Sequence, residues 1–169
     1  MKHTSQKLKK NSGFTLIETL VYMTLFVILM GGAVISAFNM FQSSGKNQTK
    51  IMIQEEGNFL LAKINWSLSG IQSISFPASG SSGSLLSVTK SDTNIGSVDI
   101  SNIGTDIVME RLGYSATLNN SNVTISNLTF NHENQGGIEW IKTFFTLSTL
   151  TPDGKSVSQN FESTKYIRK

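Results

Sequence analysis

Glu18 is the residue that most demands a chemical explanation. It follows Phe14-Thr15-Leu16-Ile17 and stands at the head of an apolar run, where a carboxylate is costly and calls for a functional role with a named partner. The bland alternative is a glutamate that snorkels to a membrane surface one turn away. Other reactive side chains are scarce. The chain has no cysteine, which excludes thiol chemistry, and two histidines, His3 and His132, which exclude multi-histidine zinc sites. A Ser-His-acid triad through His132 would need a serine in a G-x-S-x-G elbow, and none is present. His132 follows a strand-like segment beside Gly136-Gly137, so it is expected to be a solvated loop histidine. The acids Asp92, Asp99, Asp106, Glu133 and Glu139 are dispersed and do not match an EF-hand loop. Trp66, Trp140 and Tyr166 are expected as core or helix–sheet contacts. No catalytic site, cofactor site or metal site is legible, although a loop contact with calcium stays open.

The segment that carries Glu18 must be a helix. Residues 20–38 form 19 uninterrupted positions with only Thr24 and Ser36 as mildly polar members. At about 1.5 Å per residue they span roughly 29 Å, the thickness of a hydrocarbon layer. Ahead of them stand Lys2, Lys7, Lys9 and Lys10 with no acid. The remaining chain holds 10 basic against 11 acidic residues, so the whole net charge of +3 sits in this arm. A nucleic-acid binder would carry its basic patch on the folded body, so direct nucleic-acid binding is not expected. By the positive-inside rule the N-terminus stays in the cytoplasm and the rest is exported. A chain of 169 residues is too small to wrap such a segment as a soluble core helix. A conventional signal peptide, cut near Gly31-Gly32-Ala33, and a plain single-pass anchor remain open.

The stretch Lys9-Lys10-Asn11-Ser12-Gly13-Phe14-Thr15-Leu16-Ile17-Glu18 resembles the type IV pilin and pseudopilin signature. In that family a short basic leader ends in glycine and the mature chain begins FTLIE. The resemblance implies cleavage between Gly13 and Phe14 by a membrane-embedded prepilin peptidase, and methylation of the new Phe14 amine by the same prepilin peptidase/methyltransferase system. A glycine at the cut lets extended backbone enter a tight site. Cutting on the cytoplasmic side leaves the apolar helix attached, so the subunit stays anchored in membrane lipid until it is assembled. The family's filaments pair this glutamate with the N-terminal amine of a neighbouring subunit. Such a buried pair adds little net stability, yet leaving either charge alone is costly, so Glu18 is expected to set axial register. Further implied partners are other pilin or pseudopilin subunits, an inner-membrane platform protein and an assembly ATPase.

The order of elements along the chain gives a fold class, pilin-like α+β: a long N-terminal spine helix followed by an antiparallel β-rich head. Its parts are expected as a cleaved leader over 1–13, a transmembrane or filament-core helix over 14–41, an amphipathic continuation over 42–75 and the head over 76–169. The polar stretch 42–47 is a candidate kink or break, and Gly31-Gly32 a weaker one. Ile51, Met52, Phe59, Leu60, Ile64, Leu68 and Ile71 suggest one buried stripe. Period-two segments at 85–89, 98–100, 107–109, 123–130, 138–147 and 161–167 read as strands. Turn signals lie at 80–83, 119–122, 134–137 and 152–154, the last closing a hairpin. In composition 54 of 169 residues are Ser, Thr or Asn, with only 2 Pro, which excludes collagen and coiled coil. Residues 55–74 and the late Phe161…Tyr166-Ile167-Arg168 segment are loosely similar to J-type minor pseudopilins of type II secretion and their pilus and competence relatives. The reading is therefore a minor subunit that primes or caps a filament, with a major pilin as the alternative. A membrane-anchored extracytoplasmic binding domain is the more distant alternative.

Overall fold

The computed structural model describes residues 13–167. The expected leader, Gly13 apart, therefore lies outside the described residues, as does Arg168. The chain divides into two units, one ending at residue 43 and the other beginning at residue 44. A single helix, α1 (Leu16–Ser67), contributes to both. Thr15 starts it: the Glu18 amide donates to Thr15 Oγ1 at 3.3 Å, one arm of a T-x-x-E capping box.

In the first unit the large apolar side chains from Phe14 to Phe41 are exposed, and no residue of α1 before Thr49 is buried. The helix is long and apolar enough to cross a membrane. The stretch 42–47, a candidate kink or break, does not interrupt it, and the helix continues past 42 as expected. Tertiary packing supplies what local propensity lacks there. Pro152 Cγ lies 3.6 Å from the Cβ position of Gly45, and Lys46 Nζ reaches Asp153 Oδ2 at 3.8 Å. The helix does end early, at Ser67 rather than near 75, because Gly70 turns the chain with φ of +60° and Ile71 opens a strand.

Nine strands follow: β1 (Ile71–Phe76), β2 (Ser81–Gly83), β3 (Leu85–Lys90), β4 (Ser97–Ile103), β5 (Asp106–Arg111), β6 (Tyr114–Thr117), β7 (Thr124–Gln135), β8 (Ile138–Leu150) and β9 (Ser156–Ile167). They form two antiparallel sheets, ordered β1-β3-β4-β5-β6 and β2-β7-β8-β9. The expected α+β architecture, a long apolar helix leading into an antiparallel β-rich body, is what the chain adopts. All six expected strands are present, and residues 81–83, read as part of a turn, instead pair with 130–132 as β2.

Alternation drives the packing. Along β3, and along most of β4 and β8, every second residue is buried, and these inward faces meet in one core with Ile53, Leu60 and Ile64 of α1. The buried stripe of the helix runs through Ile53, Gly57, Leu60 and Ile64, at spacings of four, three and four. It is rotated from the expected one: Ile51 is 57% and Phe59 45% exposed. Ile71 is buried as expected, but from β1.

The β8–β9 turn carries its own electrostatics. The Thr151 hydroxyl donates to the Asp153 carboxylate, and Lys46 and Lys155 approach it at 3.8 and 3.7 Å. The Thr151 bond above all holds the Asp153 carboxyl below its ordinary value. A carboxyl depressed in the folded state stabilises the fold above its ordinary pKa and loses that contribution as pH falls through the folded value. NMR titration of the full chain is expected to place Asp153 below the ordinary carboxyl range. Thr151→Val should move it upward, and an unmoved titration would show that the hydroxyl is not its cause.

Candidate functional site

Gly13 and Phe14 precede the first helical residue, in exposed backbone. Among the described residues, Phe14 apart, no heavy atom lies within 4 Å of the Cβ position of Gly13. Phe14 is 76% exposed and stands edge-on to the Tyr22 ring, with centroids 6.1 Å apart and planes at 72°. Glu18 is the third residue of α1, where a carboxylate is favoured by the amide-rich helix start. Its side chain does not reach back to complete the capping box. It turns along the helix, and Oε1 accepts the Tyr22 hydroxyl at 3.3 Å. Residues 14, 18 and 22 follow four-residue spacing and lie along one side of the helix start.

The sequence residues Gly13, Phe14 and Glu18 are thus close together, at the start of the exposed apolar stretch of α1. Such a surface can be satisfied by lipid or by other helices of its kind. Within lipid a carboxylate in this position requires a donor or a cation. Sequence reasoning missed two parts of the site. The T-x-x-E spacing was a readable signal for the Thr15 cap, and the i, i+4 spacing from Glu18 was a readable signal for Tyr22.

Elsewhere the chemistry is committed to structure. His132 is buried within β7, 4% exposed, and not the solvated loop residue expected. Its Nδ1 lies 2.7 Å from the Pro77 carbonyl and its Nε2 2.7 Å from Glu139 Oε1. A carbonyl can only accept, so Nδ1 donates, and the ring ties the 76–80 loop to β8 across β7. With both nitrogens engaged, His132 has none left to take a proton from a serine. Trp66 is a helix–sheet contact, half-exposed beneath Lys90 Nζ at 4.5 Å from its ring centre. Trp140 and Tyr166 pair across β8 and β9 at 6.0 Å, and Tyr166 is exposed rather than core. A cavity of about 650 Å³ opens between α1 and the β8–β9 end, lined by residues such as Thr49, Met52, Ser121, Thr149 and Pro152. Its threonines are spent internally: Thr149 Oγ1 donates to the Asn122 carbonyl at 2.6 Å, and Thr151 Oγ1, which donates to Asp153, accepts the Lys155 amide at 3.1 Å.

Residues 8–34 match the family model of the prokaryotic N-terminal methylation motif, the type IV pilin signature. No curated protein and no solved structure matches the chain.

Proposed function

We propose that this chain, which carries the type IV pilin signature, is a minor subunit that primes or caps a pilus-like filament of a secretion, pilus or DNA-uptake machine. The observation that carries the reading is coincidence in one place. The methylation motif at 8–34 overlays the exposed apolar part of α1, and the body from residue 44 onward folds around a core of its own. A segment with this much uncovered apolar surface needs lipid first and neighbouring helices afterwards.

The steps follow from the residues. The chain inserts with its lysine-rich arm in the cytoplasm and the β-rich body outside. The prepilin peptidase cuts after Gly13, where the accessible backbone offers no side chain to exclude. The Phe14 amine is then methylated, staying cationic, and waits at the membrane with the helix still attached. A platform protein and an ATPase lift the subunit among other pilins. The Glu18 carboxylate then meets a neighbouring amine, which selects one axial register because any other leaves a charge without its partner.

Intact-mass and N-terminal analysis of the protein from membranes of its host tests this reading. The expected result is a chain that begins at N-methylated Phe14. Gly13→Leu, which places a bulky side chain at the cut, should leave the full-length precursor with its body folded. A chain that still begins at Met1, or one that begins at Val34, overturns the reading. The first outcome would leave a plain anchored domain, and the second a secreted one.

A further inference from the structure

We infer that Tyr22 is a positioning residue for Glu18: its hydroxyl holds the carboxylate in the membrane until the amine of a neighbouring subunit replaces it as partner. The inference rests on the pilin reading above and adds a residue to it.

Three observations carry it. Among the described residues, the Tyr22 hydroxyl is the side-chain donor that bonds the Glu18 carboxylate, Oη to Oε1 at 3.3 Å. Tyr22 also meets the Phe14 ring edge-on at 6.1 Å, so one side chain touches both residues on which processing and register depend. Among the described residues the cluster has no other cover. Tyr22 is 54% exposed, and the shallow depression around it is lined by Phe14, Thr19, Met23 and Phe26. The tyrosine lies in an otherwise apolar stretch, where its oxygen has little to bond except the glutamate one turn before it.

Physical chemistry gives this arrangement a task. Helical side chains lean toward the N-terminus, which brings the Tyr22 ring back over the turn that holds Glu18. In water the hydroxyl would add little, because solvent serves the carboxylate equally well. At a hydrocarbon boundary solvent is scarce and an unserved carboxylate is costly, so even a long hydrogen bond counts. A hydroxyl at 3.3 Å is nevertheless a weaker partner than a cation, which adds the attraction of a full opposite charge to a shorter bond. The incoming amine therefore displaces the tyrosine, and the carboxylate it meets is already confined to the Phe14 side of the helix. That confinement lowers the entropic cost of forming the inter-subunit pair.

The test is Tyr22→Phe, which keeps the ring against Phe14 and removes one oxygen. In the host, the mature chain starting at Phe14 is quantified by mass spectrometry in membranes and in sheared filaments. The expected result is normal processing with about a threefold to tenfold fall in the filament-to-membrane ratio, the range that confining one rotamer-rich side chain supports. Infrared spectra of the 13C-glutamate-labelled chain in membranes supply a readout that loss of packing would not move. The Glu18 band, identified by its disappearance in Glu18→Gln, should shift in Tyr22→Phe. An unchanged band or an unchanged ratio overturns the inference while the Phe14 start leaves the pilin reading intact. A chain not cut after Gly13 overturns both, and its mass identifies that case.

Discussion

Gly57→Ala is expected to destabilise the β-rich body by about 2 kcal/mol, although alanine is the better helix former. A Cβ at residue 57 would lie 2.1, 2.2 and 2.6 Å from Cε1, Cζ and Cδ1 of Phe161 on β9, so the helix touches the ring with bare backbone. The ring cannot easily withdraw. Phe161 is buried, and its other face stacks on Phe145 at 5.5 Å with planes 16° apart, while Phe145 is itself fully buried. Glycine gives up roughly 1 kcal/mol of helix propensity to alanine, whereas forcing a methyl group into a packed core costs about 1–3 kcal/mol or more. Overlap this severe favours the upper end, which sets the sign. Thermal unfolding of the full chain in detergent should show a fall of about 4–8 °C. Adding Phe161→Leu should recover part of the loss, since the two sites share one contact. An alanine variant as stable as the parent would mean that α1 stands farther from β9.

Gly57 also marks how far the sequence could be read. The apolar run, the basic arm before it and the FTLIE stretch are legible because each depends on composition or on immediate neighbours. The strands β3, β4, β8 and β9 are legible because alternation survives along most of their length. β5 and β7 are legible because they hold short runs of β-branched and other apolar residues, although β5 buries two consecutive residues and β7 shifts register between Ser126 and Thr129. Where the missing elements lie, that signal is broken. β1 shifts register between Ile71 and Ser73 and again between Ile74 and Phe76, so its inward residues do not fall on every second position. β2 is Ser-Ser-Gly, a turn composition that pairing with β7 overrides. β6 is exposed throughout and follows a two-residue turn at Leu112-Gly113, in which Leu112 takes a positive φ of 52°. Leucine disfavours that conformation, so the sequence lacks the Asn-Gly mark by which such hairpins are recognised.

The same distinction governs the site. Glu18 stands out because a charge in an apolar run is anomalous whatever its surroundings. Tyr22 does not stand out, because an aromatic at the edge of a membrane helix is ordinary until its hydroxyl is seen to reach the carboxylate. His132 was misplaced for a related reason. Its burial depends on Pro77 and Glu139, one of them 55 positions away, and no local pattern announces either contact. Residues 42–47 fail as a helix break because partners from the β8–β9 turn, Pro152 and Asp153, are brought to them by the fold.

Lys90 provides the second large effect, at the end of α1 where the helix needs outside help. Its ammonium donates to the carbonyls of Trp66 and Ser69, both at 2.6 Å, and lies 4.5 Å from the Trp66 ring centre. The last carbonyls of a helix lack intrahelical donors, and a cation there also complements the helix dipole. Lys90 is 4% exposed, so water cannot replace it readily if it is removed. Lys90→Met retains the apolar stem and deletes the donor, and it is expected to cost about 3 kcal/mol at neutral pH. Burial pushes the Lys90 pKa below its ordinary value of 10.5. Between the folded value and 10.5 the unfolded chain therefore binds the extra proton, and stability rises with pH through that interval. The cost of burying the charge is present below the folded value and is relieved above the ordinary one. Denaturation of the full chain at a series of alkaline pH values, parent against Lys90→Met, isolates this contribution from other titrating groups. The parent should gain on the variant as pH climbs toward 10.5. A constant difference would mean that the helix end and the Trp66 ring compensate the ammonium fully for its burial.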